Sequence, residues 1–183
     1  MIFSKNNKKV LNCLLSDGKF ERIDTLIDRV PIEKRTINDF LIHYSSLMKL
    51  DKKKKACIVL EDSLLFFPKS IELRIKHAEY AMSLCEWDMA IDRWQFIINN
   101  ISGYSTGVYW RQARAYLHNK NFERSRQAVL KIISIEGSSQ KSDDFLSLID
   151  SEQAQKYRIL IKNSGKVIEG IEYRLESLNK NPE

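Results

Sequence analysis

Residues 78–97 and 113–132 carry one pattern at a spacing of 35 residues. Ala78, Trp87, Ala90, Trp94 and Ile97 align with Ala113, Phe122, Ser125, Val129 and Ile132. Small residues fall on small ones, and large apolar residues on large apolar ones. A fixed period of this length marks stacked supersecondary units, each burying its apolar face only against its neighbours. Fainter copies lie upstream: Tyr44, Ala56, Leu60 and Pro68, and before them Leu11, Phe20, Ile23 and Ile27. In each unit two antiparallel helices are expected to cross closely where both carry a small residue, Ala78 against Ala90 and Ala113 against Ser125. A large side chain opening the second helix (Phe20, Trp87, Phe122) then fills the gap toward the next unit. The second copy departs from this scheme, with Tyr44 and Lys53 at the first small and first large positions.

Apolar residues recur at helical spacing through most of the chain. The pattern predicts helices at about 6–16, 20–30, 36–49, 52–66, 70–84, 87–100, 106–118 and 122–136. The breaks between them carry turn chemistry. Asp17-Gly18 separates the first pair, and Val30-Pro31 ends the second helix because a residue before proline avoids helical angles. Phe67-Pro68-Lys69-Ser70 closes the second unit, with Ser70 as an N-cap. Asn99 to Gly103 closes the third, and Gly137-Ser138-Ser139 the fourth, with Gly137 as a left-handed cap. Further on, Ser142-Asp143-Asp144 reads as a helix start. Phe145, Leu146, Leu148 and Ile149 are expected to face the stack. Tyr157 to Ile161 fits helix or strand, Asn163-Ser164-Gly165 reads as a turn, and Val167, Ile168, Ile171, Leu175 and Leu178 form a last amphipathic helix. The expected organisation is a repeat domain over 4–139, then a helical cap, or the start of a further module, over 142–181.

These residues resemble the tetratricopeptide repeat family. Its consensus asks for small residues at the helix crossing, an aromatic opening the second helix and a proline closing the unit. Ala78, Trp87, Ala90 and Trp94 meet it closely, with Ser102 in place of the proline. Ala113, Phe122 and Ser125 meet it too, while the second unit supplies Ala56 and Pro68. The resemblance implies an all-α, right-handed superhelical solenoid of antiparallel helix pairs over residues 4 to 139. It also implies that the first helix of each unit lines a concave groove. The residues it places there are Lys8, Asn12 and Leu15; Asn38, Leu41, Ser45, Met48 and Lys49; Ile75, Glu79 and Met82; and Trp110, Arg114 and Leu117. Trp110 and Arg114 lie four apart on one helix face, a pairing enriched where partners dock, with Glu79 and Met82 expected across from them. One sub-class grips a terminal carboxylate with Lys and Asn at the places of Lys8 and Asn12. Its further requirements fail at Ile42 and Glu72.

The chain has 183 residues, enough for one domain with its own core. Its net charge of +6 reflects 30 basic and 24 acidic residues, mostly interleaved. The one dense run, Lys52 to Lys55, falls where the second unit turns between its helices. It reads as a solvated turn, dispensable for folding, or else as a contact for an anionic partner or membrane headgroup. The 3 cysteines (Cys13, Cys57, Cys85) are odd in number and far apart, which suits free thiols in a reducing compartment. No apolar run reaches transmembrane length, and the start lacks a secretory pattern, so the cytoplasm is the expected location. His43, His77 and His118 make no metal-ligand spacing, and no phosphate-binding or nucleophile loop is present. His43 and His77 share one repeat position and read as partly buried, hydrogen-bonded side chains.

No catalytic residue, cofactor or metal site is therefore expected. The leading functional reading is a non-catalytic scaffold binding a peptide or protein partner in the groove, through Lys8, Asn12, Asn38, Ser45, Lys49, Glu79, Met82, Trp110 and Arg114. A second is an accessory module of a larger enzyme, since Trp87-x-x-Ala90-x-x-Arg93-Trp94 is similar to repeats preceding bacterial glycan-modifying transferases of capsule synthesis. A third is an RNA-binding helical array, which the charge invites but which lacks a regular polar code.

Overall fold

The computed structural model describes the backbone of residues 5–180 and the side chains of residues 9–160, 162 and 163. Among the described residues every regular element is a helix. Unit one is α1 (Lys5–Ser16) and α2 (Phe20–Asp28), followed by a 3-10 turn at Ile32–Lys34. Unit two is α3 (Ile37–Lys49) and α4 (Lys53–Phe66), and unit three α5 (Ile71–Ser83) and α6 (Trp87–Asn100). Unit four is α7 (Gly107–His118) and α8 (Phe122–Glu136), and α9 (Gln140–Lys180) follows. Each helix packs on the next in chain order. Apolar surface is thus buried between sequence neighbours, and the fold is a tetratricopeptide-like solenoid of helix pairs.

The small residues sit at the crossings. Ala78, Ala90, Ala113 and Ser125 are fully buried, and the Ser125 hydroxyl donates to the Ala113 carbonyl at 2.8 Å. The large residues opening the second helices reach into the following unit. Trp87 stacks on His118 with ring centroids 4.5 Å apart, and the Lys156 ammonium lies 5.5 Å from the centre of the Phe122 ring. Each core cluster also takes a residue from the next unit. Leu73 of α5 joins the core of α3 and α4, Val108 of α7 joins that of α5 and α6, and Ile149 of α9 joins that of α7 and α8.

One backbone device repeats in all four units. The residue reversing the chain between first and second helix has a positive φ: Gly18 (69°), Asp51 (56°), Cys85 (59°) and Lys120 (58°). They stand 33, 34 and 35 residues apart in turn. The following amide closes the same long hydrogen bond each time: Lys19 to Leu14, Lys52 to Leu47, Glu86 to Ala81 and Asn121 to Tyr116. With the shorter bonds from Gly18 to Leu15 and its equivalents, this is a Schellman motif, which satisfies the orphan carbonyls ending the first helix. Only Gly18 adopts this conformation without steric cost.

Helix starts are capped where short polar residues allow. Ser70 accepts from the Leu73 amide, as its position predicts. Thr36 and Asp39 form a reciprocal capping box at α3. Gly137 does have a positive φ (84°), but its ψ of 170° is extended, so it ends α8 without a left-handed helical turn.

Three expectations for the C-terminal part need correction or completion. The turn at Asn163-Ser164-Gly165 does not form, and α9 continues through it. A glycine inside a helix costs only about 1 kcal/mol, and no proline interrupts this one. Tyr157 to Ile161, open between helix and strand, is helical. Leu148 does not face the stack and is 44% exposed, whereas Ile149 is buried and Phe145 and Leu146 pack partly against α7 and α8.

Candidate functional site

Two lysines of the basic run of unit two, Lys52 and Lys55, belong to a charge cluster. Asp24 on α2 is buried, and its carboxylate accepts from Lys52 at 2.8 Å, Lys55 at 2.7 Å and His43 Nε2 at 2.9 Å. Lys55 also bonds Asp28. Burial opposes ionisation of Asp24, but the bonds from Lys52, Lys55 and His43 outweigh it and hold its carboxyl well below the usual range. Burial pushes the His43 imidazole down, against the pull of Asp24, so the ring is a neutral donor. Asp24, Asp28 and His43 lie close enough to share a cation. Two ammonium groups already balance the two carboxylates, so the cluster is electrically complete as a fold element. Lys53 and Lys54 remain exposed, and only they match the solvated-turn reading.

His77 departs from its expectation in another way. Both of its ring nitrogens are buried without a hydrogen-bond partner among the described residues. Burial, reinforced by Arg93 and Arg74, pushes its imidazole down to about 4.

The first helices of units three and four are tied together by charge. Glu79 accepts from Lys76 at 2.8 Å and from Arg111 Nε at 3.1 Å. Arg111 also donates to the Gly107 carbonyl and lies 5.9 Å from the centre of the Trp94 ring. Met82 accepts the Trp94 indole N–H through its sulfur at 3.3 Å. Glu79 and Met82 are thus committed within the chain, the former to Arg111 and not to Arg114.

Trp110 and Arg114 line a cleft of about 730 Å³ between α7 and the start of α9. Trp110 meets Phe145 edge to face with centroids 5.7 Å apart, and the Lys141 ammonium lies 4.3 Å from the centre of its ring. Leu148 and Asp144 complete the far wall. Arg114 is exposed and makes no hydrogen bond or ion pair among the described residues. Phe145, Lys141 and Leu148 carry no local motif. Phe145 and Leu148 were expected to face the stack, and the period adds that Phe145 follows Trp110 by 35 residues; Lys141 has no such signal.

The other groove candidates are spread along the stack. Asn12 and Lys49 are exposed, and the side chain of Lys8 lies outside the described residues. Ser45 is half-buried, as is Asn38, whose amide nitrogen is buried without a hydrogen-bond partner among the described residues. Leu41 and Met48 pack on the core of unit two, and Leu15 on that of unit one. Ile75 packs on the core of unit three. Leu117 is a core residue of unit four, so it does not line a groove. Among the described residues, no helix is long and apolar enough to cross a membrane.

No protein-family model matches the chain, and no curated protein sequence matches it at a significant level. Solved structures do. MamA from residue 41 onward, from Desulfovibrio magneticus RS-1, superposes with a TM-score of 0.68 at 14% identity, over 90% of this chain and 93% of that one. The ArsTM double mutant of the RS-1 protein gives a TM-score of 0.66 at 13% identity, over 93% and 94% of the two chains. MamA of strain AMB-1 gives 0.62 at 13% identity, over 91% and 93%. At these identities the likeness is one of fold.

Proposed function

We propose that this chain is a non-catalytic protein-interaction scaffold of the cytoplasm, with the cleft between α7 and α9 as a principal docking site. On this reading residues 4–139 are the repeat domain, and α9 both caps the stack and supplies one wall of the site. The observation that carries the reading is the composition of that cleft. A half-buried Trp110 is held edge-on by Phe145, with Leu148 beside it and the unpaired Arg114 at its rim. Aromatic and arginine anchors in a concave site are the residues that dominate binding energy at protein interfaces. Arg114 and Lys141 against the single carboxylate of Asp144 favour a partner segment with an apolar side chain flanked by acidic ones. Asn12, Asn38, Ser45 and Lys49, with Lys8, extend the proposed surface along the first helices. The basic run gives no support to nucleic-acid binding, because two of its lysines are spent on Asp24.

Capture from native cell extract with wild type, Arg114→Ala and Trp110→Ala/Arg114→Ala tests the proposal. Truncating one such anchor costs about 2 kcal/mol or more, roughly thirtyfold in affinity. The captured protein should be lost from both variants while their circular dichroism stays intact. Retention at unchanged affinity would exclude the cleft.

A further inference from the structure

α9 departs from the first helices before it. The period of 35 carries Trp110 to Phe145, Ala113 to Leu148 and Phe122 to Tyr157. Residues 140–153 therefore stand where a first helix stands, and Tyr157 where a second helix opens. In units one to four the chain reverses between those points through a left-handed residue. At the equivalent place, Gln155, it runs straight on, and α9 reaches 41 residues, about 60 Å at ~1.5 Å per residue. The early turns are covered by unit four: Ile149 is buried, Lys120 bonds Glu152, and Arg126 bonds Asp150. Past them Tyr157 and Ile159 are more than half exposed. Leu148, in the place of the small residue of a crossing, is tolerated because α9 does not fold back to cross itself.

The sequence of the extension has its own order. Ala154, Tyr157, Ile161, Ser164, Ile168, Ile171, Leu175 and Leu178 recur at alternating steps of three and four. That is the period of a coiled-coil seam, in which two residues of every seven face a partner helix. The charges divide along the same stretch. Lys156, Arg158, Lys162 and Lys166 occupy its first half, with no acidic residue between Glu152 and Glu169. Glu169, Glu172 and Glu176 dominate the second half, with Arg174 among them. A helix that is basic in one half and acidic in the other is complementary to itself only when reversed.

We propose that two copies of this chain pair through an antiparallel coiled coil of residues 154–178. A twofold axis near Lys166 sets Ser164 opposite Ile168, Ile161 opposite Ile171, Tyr157 opposite Leu175 and Ala154 opposite Leu178. Every layer is then formed twice by symmetry, as a closed two-chain interface requires. The same alignment brings Arg158 of one copy beside Glu172 of the other at the flanking positions that set orientation. A parallel pair in register puts basic half against basic half and leaves Arg158 beside Gln153. The pairing supplies the helix with the cover that a second helix gives each earlier unit, and it leaves the α7–α9 cleft of each copy outside the seam.

Sedimentation velocity on the full chain, from low micromolar to submillimolar concentration, reads the outcome. Wild type should sediment as a concentration-dependent dimer, and Ile168→Asp as a monomer with an intact helical stack. Glu172→Arg should weaken dimerisation about tenfold or more, and Arg158→Glu/Glu172→Arg should restore it. The charge pair leaves the seam untouched, so it decides the question even if Ile168→Asp aggregates. A chain monomeric at every concentration would overturn the proposal, as would a dimer that Ile168→Asp leaves unchanged. A dimer indifferent to Glu172→Arg would overturn the antiparallel arrangement.

Discussion

Replacing Lys52 and Lys55 together by Gln strips the two ammonium groups from a carboxylate that is 8% exposed. What remains around Asp24 is the His43 bond at 2.9 Å. Removing the partner of a buried charge costs about 3–5 kcal/mol, because the charge left behind is uncompensated. The lysine side chains are themselves 47% and 40% exposed, so water screens the pairs and replaces part of what is lost. A loss of about 2–3 kcal/mol is therefore expected, or roughly 4–12 °C in Tm for a chain of this size. Urea titration followed by far-ultraviolet circular dichroism measures it. Lys53→Gln/Lys54→Gln is the control, because those side chains are exposed and should change stability by less than about 0.5 kcal/mol. Asp24→Asn should cost less in the double variant than in wild type, since the pair it breaks is already gone. Equal and negligible effects from the two lysine pairs would refute the reasoning and return the run to a solvated turn. The pH dependence has a definite sign. The Asp24 carboxyl lies below its unfolded range, so its contribution is present above about pH 4 and is lost as pH falls below that.

Ala90→Leu places three extra carbons at a fully buried crossing and should destabilise by about 1–3 kcal/mol; an unchanged urea midpoint would show that the helices separate there at little cost. Cys85→Gly and Lys120→Gly should each stabilise by about 0.5 kcal/mol or more, because relief of a left-handed conformation outweighs the added freedom of the unfolded chain; a lower urea midpoint in both would contradict that. His77 is held down at about 4, below an unfolded value of ~6.5, so stability should fall as pH drops from ~6.5 to ~4. His77→Leu should flatten that part of the stability–pH curve and leave pH 7 stability equal or higher, since two unpaired buried nitrogens are removed; a steeper curve would contradict the burial argument.

The repeat was readable because close crossings demand small residues and because the gap between units demands large ones. Ala78, Ala90, Ala113, Ser125, Trp87 and Phe122 meet those demands, whereas unit two, with Tyr44 and Lys53 at the first small and first large positions, was legible only faintly. The helix ends were readable wherever glycine, proline or serine marked them, as at Gly18, Pro68 and Ser70. They fail as markers where the structure overrides propensity. Asp51, Cys85 and Lys120 take the left-handed angle because the turn between packed helices imposes it, and Gly165 does not break a helix that nothing else interrupts. Charge was the least readable level. A run of lysines looks solvated until the fold brings Asp24 and Asp28 to it from 27 to 31 residues away. At the cleft, Trp110 and Arg114 were legible as a pair on one helix face. On the opposing wall, Phe145 and Leu148 were legible only as apolar residues expected to face the stack, and Lys141 had no signal.

Docking in the α7–α9 cleft is tested most directly by ¹⁹F NMR of the chain labelled with 5-fluorotryptophan, titrated with the partner recovered by capture. The 3 tryptophans occupy different settings. Trp94 is fully buried in unit three, Trp87 is stacked on His118, and Trp110 faces the cleft. Trp→Phe variants assign the three resonances. Partner binding should shift or broaden the Trp110 signal and leave those of Trp94 and Trp87 in place. Saturation of binding with an unmoved Trp110 signal would contradict the account.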